Sequence, residues 1–329
     1  MNPKNYFAAP DAYNTDLFPD VVTAAAALAQ PFLTVQGYLQ VPGAAVNGSQ
    51  VQYGGRSFTL FDKYDNPSPP YYTTTPRAFH DVWPRLDRFP NAAFSTGTST
   101  FNATIDCVGY ACRVLVATGG STLDGNAYCQ LHRMLRATAG TSFPPELGVV
   151  PEAYQFAVSL AALDSGSRGW SYVAGCIDPT QIEIPGYSGR ARPGFSAAQP
   201  GDIVCFGFVR SGSNGHFMVL AAAPQPLDLG SLKAQGVALP AFVTGGYNVS
   251  VYDSTNAGTS LHVVDSRRQI GTSGIGHGEL FLFTNAADEP VGYVFGLNAD
   301  GSLQPAYFVS GAGAGYQSHI VAITVGRYQ

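Results

Sequence analysis

The sequence predicts an α+β protein, because helical segments come first along the chain and strand segments come second. Apolar residues recur with helical spacing between residues 107 and 163, and short apolar or alternating runs dominate residues 202–325. The chain also holds 38 glycines and 23 prolines, and only 12% of its residues are charged, a composition typical of a turn-rich protein with much sheet. Its 329 residues allow one elaborated domain or two smaller ones.

Three helices are predicted before the strands. The first has Cys107 in its first turn and is stopped by Gly119 and Gly120, and its apolar residues repeat at i, i+3, i+4 and i+7. The other two span residues 127–138 and 152–163. A loop rich in glycine and proline then separates the helices from seven predicted strands, which are residues 202–209, 216–223, 247–253, 261–265, 279–284, 292–297 and 319–325.

The first part of the chain has a different character, and we assign residues 1–94 to an accessory or cap region of unknown function that is partly β. The Pro/Thr-rich segment 65–76 cannot form regular helix and lies near the boundary with the main domain, residues 95–329. Asp20 is placed to cap the only predicted helix of this region. Its predicted elements are residues 21–30 as helix and residues 32–39 and 50–61 as strands.

Charge and hydropathy exclude several classes of function. A net charge of −5 and a sequence pI of about 5.6 provide no basic surface for nucleic acid. The most apolar early run, Val21–Ala29, is far shorter than the ~20 residues of a membrane span. Asp16 and Asp20 precede that run where a signal peptide carries positive charge, so no signal peptide is predicted either.

Two segments carry residues typical of nucleophilic catalysis. Cys107 lies at the first turn of its predicted helix, where the amides and the helix dipole favour a thiolate. Far along the chain, a Pro-Gly-Asp turn starts one predicted strand, and Gly215 and His216 open the next, which is otherwise apolar. A hairpin with a histidine at its mouth is therefore expected. The five cysteines show no C-x-x-C spacing, and no H-E-x-x-H motif is present, so no metal site is predicted.

Taken in order, these segments resemble the NlpC/P60 superfamily of cysteine peptidases. The segments are D-C-V-G-Y at residues 106–110, P-G-D-I-V-C-F at 200–206 and G-H-F-M-V-L at 215–220. The similarity covers roughly residues 95–265 and does not extend to residues 1–94. It implies a papain-like core in which the nucleophile helix packs on an antiparallel sheet.

Two departures from the family pattern stand out. Val108 occupies a position where serine is common in the family. His216 also follows Cys107 by 109 positions, a longer interval than in compact members. We attribute the extra length to a helical insert at about residues 121–193.

The resemblance assigns Cys107 as the nucleophile and His216 as its base. The family draws the residue that orients the histidine from the next strand, which indicates Asp253, with His262 and Asp265 as alternatives. Asp253 could instead be a turn residue, because Asp-Ser-Thr-Asn is favourable turn sequence. The remaining polar and sulfur side chains receive structural interpretations: Asp202 as a turn cap, Cys112 and Cys205 as core, and His80, His132, His277 and His319 without a catalytic role.

The implied activity is hydrolysis of amide bonds in peptidoglycan stem peptides by a cysteine peptidase or amidase that needs no cofactor and no metal. Its partner would be a peptide substrate, and its place would be outside the cytoplasm or at the cell wall. Two alternatives stay open. One is an effector-type amidase, deamidase or acyltransferase with a different substrate, and the other is a catalytically silent binding protein of the same fold.

Overall fold

The structure is a computed structural model of the chain. It describes residues 20–26, 29, 50–52, 102–104, 107–116, 118, 127–128, 130–131, 153–163, 169–184, 187, 192–208, 215–255, 261–268, 274–309 and 320–329.

Most of the described chain belongs to one antiparallel sheet of ten strands. The strands are β3 (Trp170–Ile177), β4 (Ile203–Phe208), β5 (Gly215–Leu220), β6 (Gln225–Pro226), β7 (Gly245–Thr255), β8 (Val264–Asp265), β9 (Gly274–Thr284), β10 (Pro290–Val294), β11 (Tyr307–Phe308) and β12 (Ile320–Tyr328). Their spatial order is β11-β10-β9-β7-β5-β4-β12-β3, with β6 paired to β7 and β8 to β9. Two further short strands, β1 (Gln50–Gln52) and β2 (Asn102–Thr104), form a separate parallel pair.

The central strands are apolar along nearly their whole length because both of their faces are covered. All six residues of β5 are buried, and so are the first seven of β12. One face carries the main hydrophobic core, which includes Phe206, Met218 and Leu280. The sheet is strongly curved, since Phe206 on β4 stacks on Tyr293 of the distant strand β10 with ring centroids 4.4 Å apart.

Three helices are bounded within the described residues: α1 (Cys107–Val116), α2 (Ala153–Ala161) and α3 (Leu229–Ala234). Helix α1 packs against β5 and β7, and α2 packs against β3, β4, β5 and β12. The edge of the Phe156 ring on α2 meets Phe217 on β5 at 4.9 Å. Helix α1 therefore lies against two central strands of the sheet.

Part of the predicted accessory region packs directly on α1. Residues 21–26 and 29 are helical, and Asp20 caps them by accepting a hydrogen bond from the backbone N–H of Thr23 at 2.7 Å, as predicted. The buried hydroxyl of Tyr110 donates to the carbonyl of Ala25 at 2.7 Å. The segment is therefore tied to α1 by a bond between residues far apart in sequence. None of the described helices is long and apolar enough to cross a membrane.

The predicted α+β class is confirmed in its coarse form, a protein dominated by antiparallel sheet with few helices. Each of the seven predicted strands overlaps an observed strand. The main difference is β3, which lies inside the segment predicted as a helical insert and pairs with β12. Its sequence, WSYVAGCI, is rich in aromatic and β-branched residues. Its pairing partner lies at the far end of the chain, where local sequence gives no indication of it.

Several predictions fall outside the described residues. These are the strand at 32–39, the linker at 65–76, the boundary at residues 94 and 95, and most of the helix predicted at 127–138, of which residues 127–128 and 130–131 are helical. His80, His132 and His319 also lie outside, as does the side chain of Cys112.

Candidate active site

Cys107 is the first residue of α1 and therefore lies in the first turn of the helix, as predicted. Its side chain is a free thiol and is 4% exposed. Backbone amides of a first helical turn have no partners inside the helix, so they face any group held at that end. Since α1 packs against β5 and β7, the thiol is delivered to the same two strands that hold the candidate base and its partner.

His216 is presented by a glycine-dependent hairpin. Strands β4 and β5 pair with Phe206 opposite His216. The preceding Gly215 has φ of 143°, and a Cβ at that position would collide with the carbonyl oxygen of Phe206. Only glycine can occupy this backbone position without strain, which gives a physical reason for the Gly-His sequence that opens the strand.

Asp253 lies on the neighbouring strand β7 and is fully buried. Its Oδ2 is 2.6 Å from Nε2 of His216. The register pairs Val219 with Tyr252, so its continuation sets Asp253 opposite Met218 and makes His216 a diagonal neighbour on the same face. The sequence prediction that these two side chains meet is therefore found in the structure.

The second nitrogen of His216 is the one available to Cys107. Nε2 lies at hydrogen-bond distance from Asp253. The contact between the imidazole and the thiol of Cys107 therefore uses the other ring nitrogen, Nδ1. Burial alone would lower the pKa of His216, but the charge of Cys107, its hydrogen bond and the bond to Asp253 outweigh burial and raise the pKa to about 9. This environment therefore favours the protonated imidazole of His216.

Asp253 is held in its charged form by a cluster of cations. Burial would raise the pKa of this carboxyl, but the charges of His262 and Arg267 and the hydrogen bond from His216 place the pKa well below its ordinary value. Arg267 donates from Nη2 to Oδ1 of Asp253 at 2.9 Å. The carboxylate thus has one oxygen on the arginine and the other on the histidine.

Asp265 and His262 complete this buried cluster. Arg267 donates from Nε to Oδ1 of Asp265 at 2.7 Å, and Oδ2 of Asp265 lies 2.8 Å from Nδ1 of His262. His262 Nε2 is 3.2 Å from Oδ2 of Asp253 but lacks hydrogen-bond alignment with it. Charges from Asp253 and Asp265 together raise the pKa of His262 against the effect of burial. When His262 is protonated, it and Arg267 supply two positive charges for the carboxylates of Asp253 and Asp265.

The donor atoms of His216, Asp253 and His262 lie within 4.8 Å of one another, so among the described residues they form a possible metal-binding group. Their surroundings fit a metal poorly. The guanidinium of Arg267 is 2.9 Å from the Asp253 carboxylate and 3.1 Å from His262 Nδ1, where it would repel a cation. Asp253 Oδ2 already lies at hydrogen-bond distance from His216. The contacts of these groups are those of a buried network of hydrogen bonds and ion pairs.

The structure also describes three of the other polar and sulfur residues for which the sequence analysis made predictions. Cys205 is buried core, as predicted. Asp202 accepts from the backbone N–H of Gln199 at 2.8 Å, which is the predicted turn cap, and it also pairs with Arg327. His277 contacts Ser250 at 2.7 Å on the strand pair β7–β9.

Sequence reasoning did not single out Arg267, which the structure places between the carboxylates of Asp253 and Asp265. The available signal was its position two residues after Asp265, one of the alternative third residues. No protein-family model, no curated protein and no solved structure matches this chain.

Proposed function

We propose that this protein is a cysteine hydrolase of amide bonds with Cys107 as nucleophile, His216 as general base and acid, and Asp253 as the residue that orients the imidazole. One observation carries the proposal. A thiol at a helix start raises the pKa of a buried histidine whose far nitrogen is 2.6 Å from a buried carboxylate. Nucleophilic catalysis by cysteine requires a thiol in contact with an imidazole that is itself held by a carboxylate.

In the proposed reaction, the sulfur of Cys107 attacks the carbonyl carbon of an amide while its proton passes to His216. The backbone N–H of Cys107, at the start of α1, is placed to donate to the oxyanion. When the tetrahedral intermediate collapses, the C–N bond breaks and His216 returns the proton to the leaving amine. Water, deprotonated by His216, then cleaves the thioester and restores the thiol.

The proposed fold family and substrate rest on the resemblance of three sequence segments to NlpC/P60 proteins. The order of nucleophile helix, Pro-Gly-Asp strand and Gly-His strand is that of the family. In this protein, α1, the β4–β5 hairpin and β7 lie around one buried cluster. We therefore propose a papain-like core and peptidoglycan stem peptides as the substrate, which would place the protein at the cell wall. An amide in another peptide is the alternative within the same chemistry.

The burial of Cys107 favours one competing function, a silent binding protein that keeps the fold. Exposures of 4% for Cys107 and 7% for His216 leave little of either group in contact with solvent. Alkylation of the native protein by iodoacetamide, followed by peptide mapping, separates the two possibilities. An active site gives faster modification of Cys107 than of a model thiol at neutral pH, whereas a silent protein gives none or a slower rate.

The test of function is digestion of purified peptidoglycan fragments and synthetic stem peptides, read by mass spectrometry. Wild type and Cys176→Ala, which removes a half-buried free thiol on β3, should release the same products. Cys107→Ala should release none. Products that appear equally with Cys107→Ala would contradict the mechanism, and absence of products with every protein, combined with rapid alkylation of Cys107, would move the substrate to another amide.

A further inference from the structure

We propose that Arg267, His262 and Asp265 are positioning residues that fix Asp253 as the charged acceptor for His216. This inference rests on the proposed function, and it assigns a role to three buried polar residues that the reaction scheme does not use. We call these three residues the support cluster.

Arg267 is the centre of the support cluster. It is completely buried, and its guanidinium meets both carboxylates: Nη2 lies 2.9 Å from Oδ1 of Asp253 and 2.8 Å from Oδ2 of Asp265, while Nε lies 2.7 Å from Oδ1 of Asp265. Because the guanidinium is planar and its donors have fixed directions, its two bonds to Asp265 fix where Nη2 binds Oδ1 of Asp253. The oxygen left over points to His216.

His262 and Asp265 hold the arginine in this orientation. Asp265 accepts from the backbone N–H of Arg267 at 2.8 Å and from the backbone N–H of His262 at 3.0 Å. One carboxylate thus binds two backbone groups, a guanidinium and an imidazole. Nε2 of His262 lies 3.2 Å from Oδ2 of Asp253 and adds a second positive charge there when it is protonated. Asp253 is paired with Arg267 even when His216 is neutral.

The opposite strand is shaped to make room for this cluster. Asp253 pairs with Gly276 and Val251 with Gly278 along the β7–β9 ladder. A Cβ at Gly276 would come within 2.6 Å of Nε of Arg267, and one at Gly278 would collide with the ring of His262. Glycine weakens a strand interior and often marks a close approach by another group. Two glycines on one face, each beneath a member of the support cluster, indicate that β9 is adapted to its presence.

An aromatic ring screens the same groups from water. Phe295 lies edge-on to His216 with ring centroids 5.2 Å apart, and its ring is 4.4 Å from that of His262. The aromatic ring excludes solvent on one side of both imidazoles, and a low local dielectric strengthens the bonds among the charged groups. His216 and Asp253 therefore meet in a region screened from water, where the bonds made by the support cluster are strongest.

Stability alone explains this arrangement poorly. A buried ion cluster is often no more stable than well-packed apolar residues of the same volume, because removing charges from water is costly. What distinguishes a buried ion cluster from apolar packing is that its hydrogen bonds permit a single geometry. Fixing Asp253 in the charged form keeps the proton on Nε2 of His216 and leaves Nδ1 to face Cys107, which is the tautomer that the proposed mechanism requires.

The test uses a double variant that keeps the buried charge balanced, Asp265→Asn with Arg267→Met, and the single variants Arg267→Lys and His262→Asn. Folding is checked first by circular dichroism and thermal unfolding, so that only folded variants are compared.

For the folded double variant we expect kcat to fall by about 10²-fold, the scale of a misplaced catalytic group, with little change in KM. Arg267→Lys, which restores the charge without the fork, should recover part of this loss. Arg327→Lys, a change to an arginine paired with Asp202 elsewhere in the sheet, is the matched control and should leave activity unchanged.

A second readout needs no substrate. Ring ¹⁵N shifts of His216, followed by NMR against pH, report its tautomer and its pKa in wild type and in each folded variant. We expect the variants to lose the single Nε2–H tautomer and to titrate at lower pH than wild type. If His216 has the same tautomer and the same titration in the double variant, positioning by the support cluster is disproved. Altered His216 titration in a protein whose wild type cleaves no amide would instead support the cluster and contradict the proposed function.

Discussion

Nε2 of His216 and Oδ2 of Asp253 lie 2.6 Å apart, although the two residues belong to different strands and are 37 positions apart in sequence. They meet because β5 and β7 are neighbours in the sheet and their register makes the two positions diagonal neighbours on one face. The β4–β5 hairpin fixes where His216 begins its strand. The contact is thus a property of the sheet, and the two side chains need no loop to bring them together.

The charge of Asp253 is expected to be essential to activity. Asp253→Asn keeps the size of the side chain, but the amide can present its NH₂ group to Nε2 and stabilise the wrong tautomer of His216. We expect kcat to fall by about 10²–10⁴-fold, the usual range for general acid–base catalysis, in an assay of peptide amide hydrolysis.

The control for this substitution is Asp228→Asn. Asp228 is exposed and caps the short helix α3 through a hydrogen bond from Gly230 at 2.9 Å, so the same chemical change occurs away from the cluster. Its activity should match wild type. Equal activity of Asp253→Asn and wild type would remove Asp253 from the mechanism.

The raised pKa of His216 predicts a loss of stability on the alkaline side. Its pKa is 6.5 in the unfolded chain and about 9 in the folded protein, so the folded state binds the proton more tightly. The stabilisation is fully present below pH 6.5 and is lost as pH rises through about 9, and a shift of this size corresponds to roughly 3 kcal/mol. Urea unfolding at a series of pH values between 6 and 10 measures it as a falling free energy of unfolding.

Cys107→Ala should flatten this dependence, because Cys107 makes the largest of the contributions that raise the pKa of His216. His277→Gln is the comparison variant. The pKa of His277 is lowered, mainly by burial. Its contribution to the free energy of unfolding is therefore lost as pH falls below the ordinary titration range of histidine, and replacing it should leave the alkaline slope unchanged. An alkaline slope that is the same in Cys107→Ala and wild type would show that the thiol and the imidazole do not interact.

The sequence predicted those features that depend on local pattern. The helix that starts with Cys107 and the Gly-His strand follow from periodicity and turn residues, whereas the family resemblance implied the adjacency of Asp253. Each has its counterpart in the structure. Strand β3 was missed because its place in the sheet depends on pairing with β12 near the end of the chain. Arg267 was missed because a charged residue after a short strand reads as exposed, and only the tertiary fold shows that two carboxylates surround it.

Gly278→Ala tests whether β9 is shaped around the support cluster. The added methyl group would press on the ring of His262 within a packed interior, and overpacking of this kind costs about 1–3 kcal/mol. Gly207→Ala is the matched control, since its Cβ would meet neighbours at 3.3 Å or more on the face covered by α2. We expect the larger loss of unfolding free energy and the larger loss of activity for Gly278→Ala. Equal effects of the two substitutions would show that β9 has no special adaptation at this position.

The hydrogen bond from Tyr110 to Ala25 links the N-terminal helical residues to α1. Tyr110→Phe removes only the hydroxyl and leaves the buried carbonyl of Ala25 without this donor, which should cost about 1–3 kcal/mol of stability. If residues 21–29 act only as a brace, turnover of a peptide amide at saturating substrate should stay within a few-fold of wild type, while limited proteolysis should cut the chain near this segment more readily. Thermal unfolding and timed digestion measure the two effects. Unchanged stability and unchanged protection from protease would show that the segment does not depend on this bond for its place beside α1.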